Sequence, residues 1–237
     1  MDESAGNKSL REVHQLLEKR LPLRPRIYEA GGGSASALPP KLLTAARVTV
    51  VDIDETQVKT NQYADEKLLG DIQAHSFPPG SFDLVVCYNV IEHLDNPEKA
   101  IRLFYDALAP GGLIFIGAPV PESFSGWVTR VTPHWFHVQY YRKVLKYRSA
   151  GRPGSVPFPT VFHPVVRPQK LIDFCCRLGC EVVYFRKYKG MIYENMAQRR
   201  PWLGKLLNAA VALANLATLG RRDLRNGDFH LVVTRPS

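Results

Sequence analysis

The chain is 237 residues long, with 31 Lys+Arg against 22 Asp+Glu, 45% hydrophobic and 22% charged residues. That length and make-up can bury a full core as one large domain, and exclude collagen-like, disordered and multi-span membrane classes. The opening MDESAGNKSLREVHQLLEKR is polar throughout, without the apolar stretch of a secretory leader, so a cytoplasmic location is expected.

The charge is divided unevenly. Residues 1–126 hold 12 Lys+Arg and 17 Asp+Glu, net −5, whereas residues 127–237 hold 19 and 5, net +14. Such asymmetry points to an anionic partner for the C-terminal half, with a solvated basic face as the plain alternative. Cys175, Cys176 and Cys180 cluster in LIDFCCRLGC at a spacing that fits no zinc or redox motif. On a helix, Cys176 and Cys180 share a face and read as small core hydrophobes.

In chain order, Leu10–Leu21 carries apolar residues at helical spacing and predicts an amphipathic helix. RIYEA predicts a strand, followed by a glycine run, a helix over Pro40–Ala46 and the apolar strand RVTVVDID. A helix over Glu55–Ala64, the short strand KLLGD and the buried strand FDLVVCYNV come next. A helix over Pro97–Leu108 stops at Pro110-Gly111-Gly112, before the strand LIFIGAPV. Strands alternating with helices imply βαβ units and a mostly parallel sheet covered on both faces. The alternation breaks over 121–166, resumes with a helix near Pro168–Leu178 and the strand EVVYFR, breaks again over 187–227, and ends on DFHLVVTR. Long insertions of this kind serve as lids or binding surfaces.

Arg26–Ser34 reads RIYEAGGGS: a strand ending at Glu29 runs into glycines that let backbone approach a ligand closely. The next strand ends in Val51-Asp52-Ile53-Asp54, about twenty residues on, where a carboxylate can take ribose hydroxyls. A third ends in Leu69-Gly70-Asp71-Ile72. Acids at three successive strand ends suit a nucleoside with a cationic tail better than a pyrophosphate. Asp54 reads as the cap of the helix that follows it.

On these segments, together with SFDLVVCYNVIEHL and LAPGGLIFIGAP, residues 26–120 resemble the core of a class I S-adenosylmethionine-dependent methyltransferase. The resemblance implies an α/β fold: a seven-stranded, mostly parallel, doubly wound Rossmann-like sheet in a single domain (1–237), with a cofactor half over 22–120 and two insertions forming an acceptor region. It implies S-adenosyl-L-methionine as cofactor. Glu29, Gly31 and Gly33 would hold the methionine end and Asp52 the ribose hydroxyls. Ile53 would pack on adenine, Asp71 and Ile72 would read its edge, and Asn89 would line the methionine pocket. The glycine run departs from the family's D-x-G-x-G-x-G, its third glycine position being Ala35. Glu92 and His93 read as supports of a loop. Some relatives carry Glu-x-x-Glu-His here as part of a divalent-metal site, but Asn89 stands in place of one carboxylate, and no metal is expected.

Transfer to a hydroxyl also calls for a base, and histidine is the natural candidate near neutral pH. His134 and His137, in the aromatic segment after the fifth strand, are the catalytic candidates, with His137 preferred and His163 a third; the alternative is that such a segment bonds its histidines internally. Residues 199–222 predict a helix, apolar over about 203–219 and flanked by arginine pairs, too short to span a bilayer. It could lie at a membrane interface, wall a substrate channel, form a homodimer seam or pack on the domain itself. The expected function is O-methylation of a small amphipathic or anionic acceptor of lipid-linked, glycosyl or quinone-like natural-product type, in the cytoplasm or peripherally at a membrane surface. The alternatives are an RNA methyltransferase using the basic half and a non-catalytic binding subunit, with nucleic acid the weaker partner because no separate RNA-binding motif is present.

Overall fold

The computed structural model describes residues 3–124, 126, 131–143, 150–151, 160–161, 163–190, 202, 205, 209, 211–213, 224 and 226–237. Seven strands form one sheet in the order β3-β2-β1-β4-β5-β7-β6. They are β1 (Arg26–Ala30), β2 (Arg47–Asp52), β3 (Glu66–Leu69), β4 (Phe82–Tyr88), β5 (Leu108–Pro119), β6 (Glu181–Tyr188) and β7 (Asp228–Thr234). All pairings are parallel except those of β7, which runs antiparallel to both β5 and β6. The expected fold class is therefore the one observed.

Alternate side chains of the strands feed two cores. On one face Val85, Cys87, Ile114 and Ile116 pack against α4 (Pro97–Ala107) and α6 (Pro168–Arg177) through Ile101, Phe104, Leu171 and Phe174. On the other, Val48, Val50, Leu84 and Phe115 meet α1 (Ala5–Arg20) through Val13 and Leu17, and α2 (Pro40–Ala45) through Leu42. Between these helices, α3 (Glu55–Thr60) follows β2. At the opposite end of the sheet from the site, Arg26 locks β1 to β4 by donating from Nε and Nη2 to the two carboxylate oxygens of Asp83, at 3.2 and 2.8 Å.

Several boundaries differ from the sequence reading for local reasons. The helix expected over Glu55–Ala64 ends at Thr60, because the Asn61 Oδ1 accepts the backbone N–H groups of Tyr63 and Ala64. Helix α4 stops at Ala107 and the chain enters β5 directly, with Gly111 in the left-handed region at φ +75° and its N–H given to the Arg235 carbonyl. Cys180 lies beyond the end of α6 and is buried with Cys175, while Cys176 faces solvent; Cys176 and Cys180 do not share a buried helix face. All four cysteines are free thiols.

The insertions leave and re-enter at the carboxyl edge of the sheet. The Val120 N–H donates to the Gly227 carbonyl and that of Phe124 to the Leu224 carbonyl, so the start of the first insertion adjoins the end of the second. Helix α5 (His134–Lys143) belongs to the first insertion. Most of the apolar stretch 203–219 lies outside the described residues; positions 205, 209 and 211–213 within it are helical, with Val211 buried. No helix among the described residues is long and apolar enough to cross a membrane.

Candidate active site

The carboxyl ends of β1 and β4 and the turn after β1 enclose a small cleft lined by Glu29, Gly31, Gly32, Ala35, Val86 and Tyr88, among others; Asp52, at the end of the neighbouring β2, lies outside that lining. Its floor is the glycine turn. Gly31 and Gly33 have φ of +71° and +54°, which favour residues without a Cβ. A Cβ on Gly31 would lie 2.7 Å from the Val90 side chain, so that glycine answers to space as well as to conformation.

Side chains from distant elements hold this turn, because α2 begins only at Pro40 and no helix organises residues 34–39. The Asn61 Nδ2 donates to the Gly33 carbonyl at 2.6 Å and the Ser34 N–H donates to Gln57 Oε1 at 2.9 Å. His14 of α1 bonds the Ala37 carbonyl through Nε2 at 2.9 Å.

Asp52, at the end of β2, accepts the Gly33 N–H at 2.9 Å through Oδ2 and the Asp54 N–H at 2.8 Å through Oδ1. Burial raises its pKa, and the backbone donors oppose that rise. Each oxygen retains acceptor capacity for a ribose hydroxyl. The neighbouring Ile53 is 75% exposed, an apolar surface at the rim where an adenine could lie. Asp54 caps α3 by accepting from Thr56 and Gln57, the role its position predicted.

Glu29 is 2% exposed and its carboxylate is already engaged. It accepts a short hydrogen bond from Ser36 and another from Tyr63 Oη at 2.5 Å. Burial raises its pKa while these two donors lower it. Its influence on a ligand would pass through the hydroxyls it orients. Tyr63, absent from the sequence reading, thereby joins the site.

Asp71 accepts the Gln73 N–H at 2.8 Å through Oδ1, and Ile72 buries its side chain in the core at 4% exposure, leaving its backbone as the part available to a ligand. Asn89 is exposed just beyond β4 with φ +54°, the single positive value among described residues other than glycine. The preceding Tyr88 has its ring across Gly117, where a Cβ would lie 2.5 Å from it.

The histidines sit elsewhere. His137 Nε2 bonds Thr132 Oγ1 at 2.8 Å, within its own segment, and His134 is exposed at the start of α5; neither lines the cleft. His163 caps a short 3₁₀ turn over Pro164–Val166, its Nδ1 accepting from the Val165 N–H. Glu92 is buried beside the end of β4 with Oε2 unpartnered, and burial pushes its pKa up to about 8. Its backbone carbonyl accepts from Val161, which anchors the return of the first insertion. Among the described residues, no group of three His, Cys, Asp or Glu could hold a metal ion.

Residues 28–116 match the family model described as a methyltransferase domain. Over those residues the chain carries a methyltransferase domain, the family its sequence resembles. Among curated relatives, a ubiquinone biosynthesis O-methyltransferase of Leptothrix cholodnii is 26% identical over 163 residues, 68% of this chain and 58% of that protein. One from Aromatoleum aromaticum is 22% identical over 181 residues, 73% of this chain and 70% of that protein. The chain thus spans little more than half the length of the first of them. A solved S-adenosylmethionine-dependent methyltransferase of Mesorhizobium loti superposes with a TM-score of 0.55 at 14% identity, covering 93% of this chain and 96% of that one. The cyclase SpnF superposes with 0.58 at 16% identity, covering 99% and 84%. The methyltransferase fold therefore hosts more than one chemistry, and the acceptor must be argued from the site. The domain implies S-adenosylmethionine as methyl donor, and the Asp52 carboxylate with acceptor capacity left on both oxygens, the exposed apolar Ile53 and the crowded glycine turn fit that group.

Proposed function

We propose that this methyltransferase domain O-methylates a phenolic or catechol hydroxyl of a small amphipathic acceptor, quinone-like or lipid-linked, presented at an anionic membrane surface. When bound, S-adenosylmethionine supplies an electrophilic methyl whose bond to sulfur breaks as the acceptor oxygen bonds to it. Asp52 takes the ribose hydroxyls, Ile53 packs on the adenine, and the Gly31–Gly33 turn gives the methionine end its backbone room. The task left to the protein is alignment of the acceptor oxygen and removal of its proton.

The observation that carries the acceptor class is the character of the first insertion. In α5, Trp135 and Phe136 are 66% and 46% exposed, no residue is buried, and Arg142 and Lys143 close the last turn. Exposed aromatics beside basic residues suit an apolar molecule with anionic surroundings. The names of the similar O-methyltransferases support the same reading. The experiment is labelled-methyl transfer from S-adenosylmethionine to a long-chain 4-alkylcatechol in vesicles containing anionic phospholipid. Transfer that requires both catechol and vesicle is expected; transfer to RNA alone would overturn the reading.

A further inference from the structure

Behind the cleft, on the α1 face of the sheet, buried polar groups form a continuous chain. Ser9 of α1 and His230 of β7 are both 0% exposed. Ser9 Oγ lies 2.8 Å from His230 Nδ1 and 3.0 Å from Tyr184 Oη. Tyr184 Oη donates to Glu12 Oε2 at 2.7 Å, and Glu12 is held by Arg186 Nη1 at 2.6 Å, where both side chains reach solvent. On the other ring nitrogen, His230 Nε2 is met by Tyr188 Oη at 2.8 Å and Tyr88 Oη at 3.4 Å. Tyr88 is the residue that lines the cleft.

One acceptor fixes the direction of the bonds from Glu12 back to His230. Glu12 is ionised, its pKa lowered mainly by the Arg186 hydrogen bond, and a carboxylate only accepts. Tyr184 must therefore give its proton to Glu12, which leaves its oxygen to accept from Ser9. The Ser9 oxygen then accepts from His230 Nδ1–H. Burial pushes the His230 pKa down to about 4, with His14 of α1 adding to the fall, so the ring is neutral and Nε2 carries a lone pair. Tyr188 Oη, at 2.8 Å, donates to that lone pair and is itself hydrogen-bonded to Tyr88, whose Oη lies 3.4 Å from Nε2, with Asp228 and Glu92 the nearby carboxylates. From Tyr188 onwards the donors point towards Glu12.

We propose that Tyr88, His230, Ser9, Tyr184 and Glu12 form a relay that carries the acceptor's hydroxyl proton from the cleft to solvent during O-methylation. The inference rests on the O-methyltransferase reading above. As the acceptor oxygen gains the methyl carbon, its O–H bond breaks and that proton passes to the Tyr88 oxygen. The Tyr88 proton moves to His230 Nε2, directly or through Tyr188, while the Nδ1 proton passes to Ser9. The Ser9 proton moves to Tyr184 and the Tyr184 proton to Glu12, which releases it to water. One proton leaves for each methyl delivered, and the passage leaves His230 as its Nε2–H tautomer. After product release the Nε2 proton passes back through Tyr88 to water entering the cleft while Nδ1 is reprotonated through Tyr184 and Ser9, which restores the starting form. Tyr88 is the end that touches substrate; the other members position and conduct.

Tyr184→Phe and Ser9→Ala break the chain at separate links, and Tyr184→Phe keeps the ring. With the vesicle-borne 4-alkylcatechol as probe, both are expected to lower kcat at neutral pH by ~10-fold or more, with both KM values unchanged. Turnover should recover above pH ~10, where a phenol ionises unaided. The solvent-isotope proton inventory should fall from several protons to one. Full turnover at neutral pH in both variants, or a loss equal at every pH, would overturn the relay. ¹⁵N NMR of the protein without cofactor gives a readout independent of activity: His230 should be the Nδ1-protonated neutral tautomer, and the Nε2–H tautomer would also overturn it. A wild-type protein that binds S-adenosylhomocysteine but transfers no methyl to the catechol would defeat the acceptor reading, a result distinct from either of these.

Discussion

Replacing Glu92 by glutamine should make this protein more stable at neutral pH and equally stable in mild acid. Glu92 is 4% exposed, its Oε2 has no hydrogen-bond partner, and desolvation raises its pKa from the ordinary 4.5 to about 8. The Asp228 charge adds to the rise. At pH 7 the folded protein holds the group protonated, whereas the unfolded chain ionises it. Because the folded pKa is the higher one, the associated stability is complete below about pH 4.5 and is lost as pH rises to about 8. At pH 7 the 2.5 units above the unfolded value correspond to roughly 3 kcal/mol, at 1.36 kcal/mol per unit. Glutamine has nearly the same shape and never ionises, so its contribution is flat. Urea denaturation of both proteins at pH 4.5 and 7 isolates this residue, since every other titrating group cancels. The midpoints should be close at the lower pH, with the variant ahead by up to about 3 kcal/mol at the higher. A constant offset between the two pH values, or a variant less stable at pH 7, would refute the claim that this carboxyl is buried in its neutral form.

Gly117→Ala puts a Cβ 2.5 Å from the Tyr88 ring, so the ring must lift from β5. Overpacking of that kind costs about 1–3 kcal/mol, read in the melting temperature, and calorimetry should show S-adenosylhomocysteine binding weakened as the cleft wall moves. Asp52→Ala strips the acceptor from the Gly33 and Asp54 N–H groups. Calorimetric titration should show a loss of S-adenosylhomocysteine affinity of ~100-fold or more, far beyond what a modest fall in melting temperature would suggest. Tyr28→Phe removes a buried hydroxyl that has no partner, from within a cluster with Phe77, Phe82 and Phe104. It should raise stability by about 1 kcal/mol in chemical denaturation. His137→Ala separates the sequence-derived base from the relay: turnover on the catechol within about threefold of wild type is expected if Thr132 is its true partner.

The strands were readable because apolar runs such as RVTVVD and FDLVVCY must be buried on both faces, and the acids that end them were readable by position. What sequence could not supply is where those acids turn. Glu29 looked like a ligand group, yet its partners are Ser36 and Tyr63, the second 34 positions away. Asn61 carried a local signal, since asparagine after ETQVKT is a natural stop, but its bond to the Gly33 carbonyl depends on how α3 packs. His137 sat in the right segment and still bonds inward. Ser9 and His230, 221 positions apart, stand in a helix and a strand whose periodicity says nothing of their meeting.

These long-range partners change what counts as the cofactor half. The sequence division began that half at residue 22, leaving α1 outside it. In the structure α1 reaches the site twice, through His14 on the Ala37 carbonyl and through Ser9 on His230. A glycine turn followed by a long helix could fix its own backbone. Here α2 starts only at Pro40 and is only six residues long, so residues 33–38 depend on hydrogen bonds from Asn61, Gln57, Ser36 and His14. Ala35 in place of a third glycine narrows the backbone's freedom in the same stretch, which makes side-chain bracing the feasible way to hold it. The N-terminal helix is thus part of the site's architecture, bracing the glycine turn through His14 and, through Ser9 and His230, the tyrosine that lines the cleft.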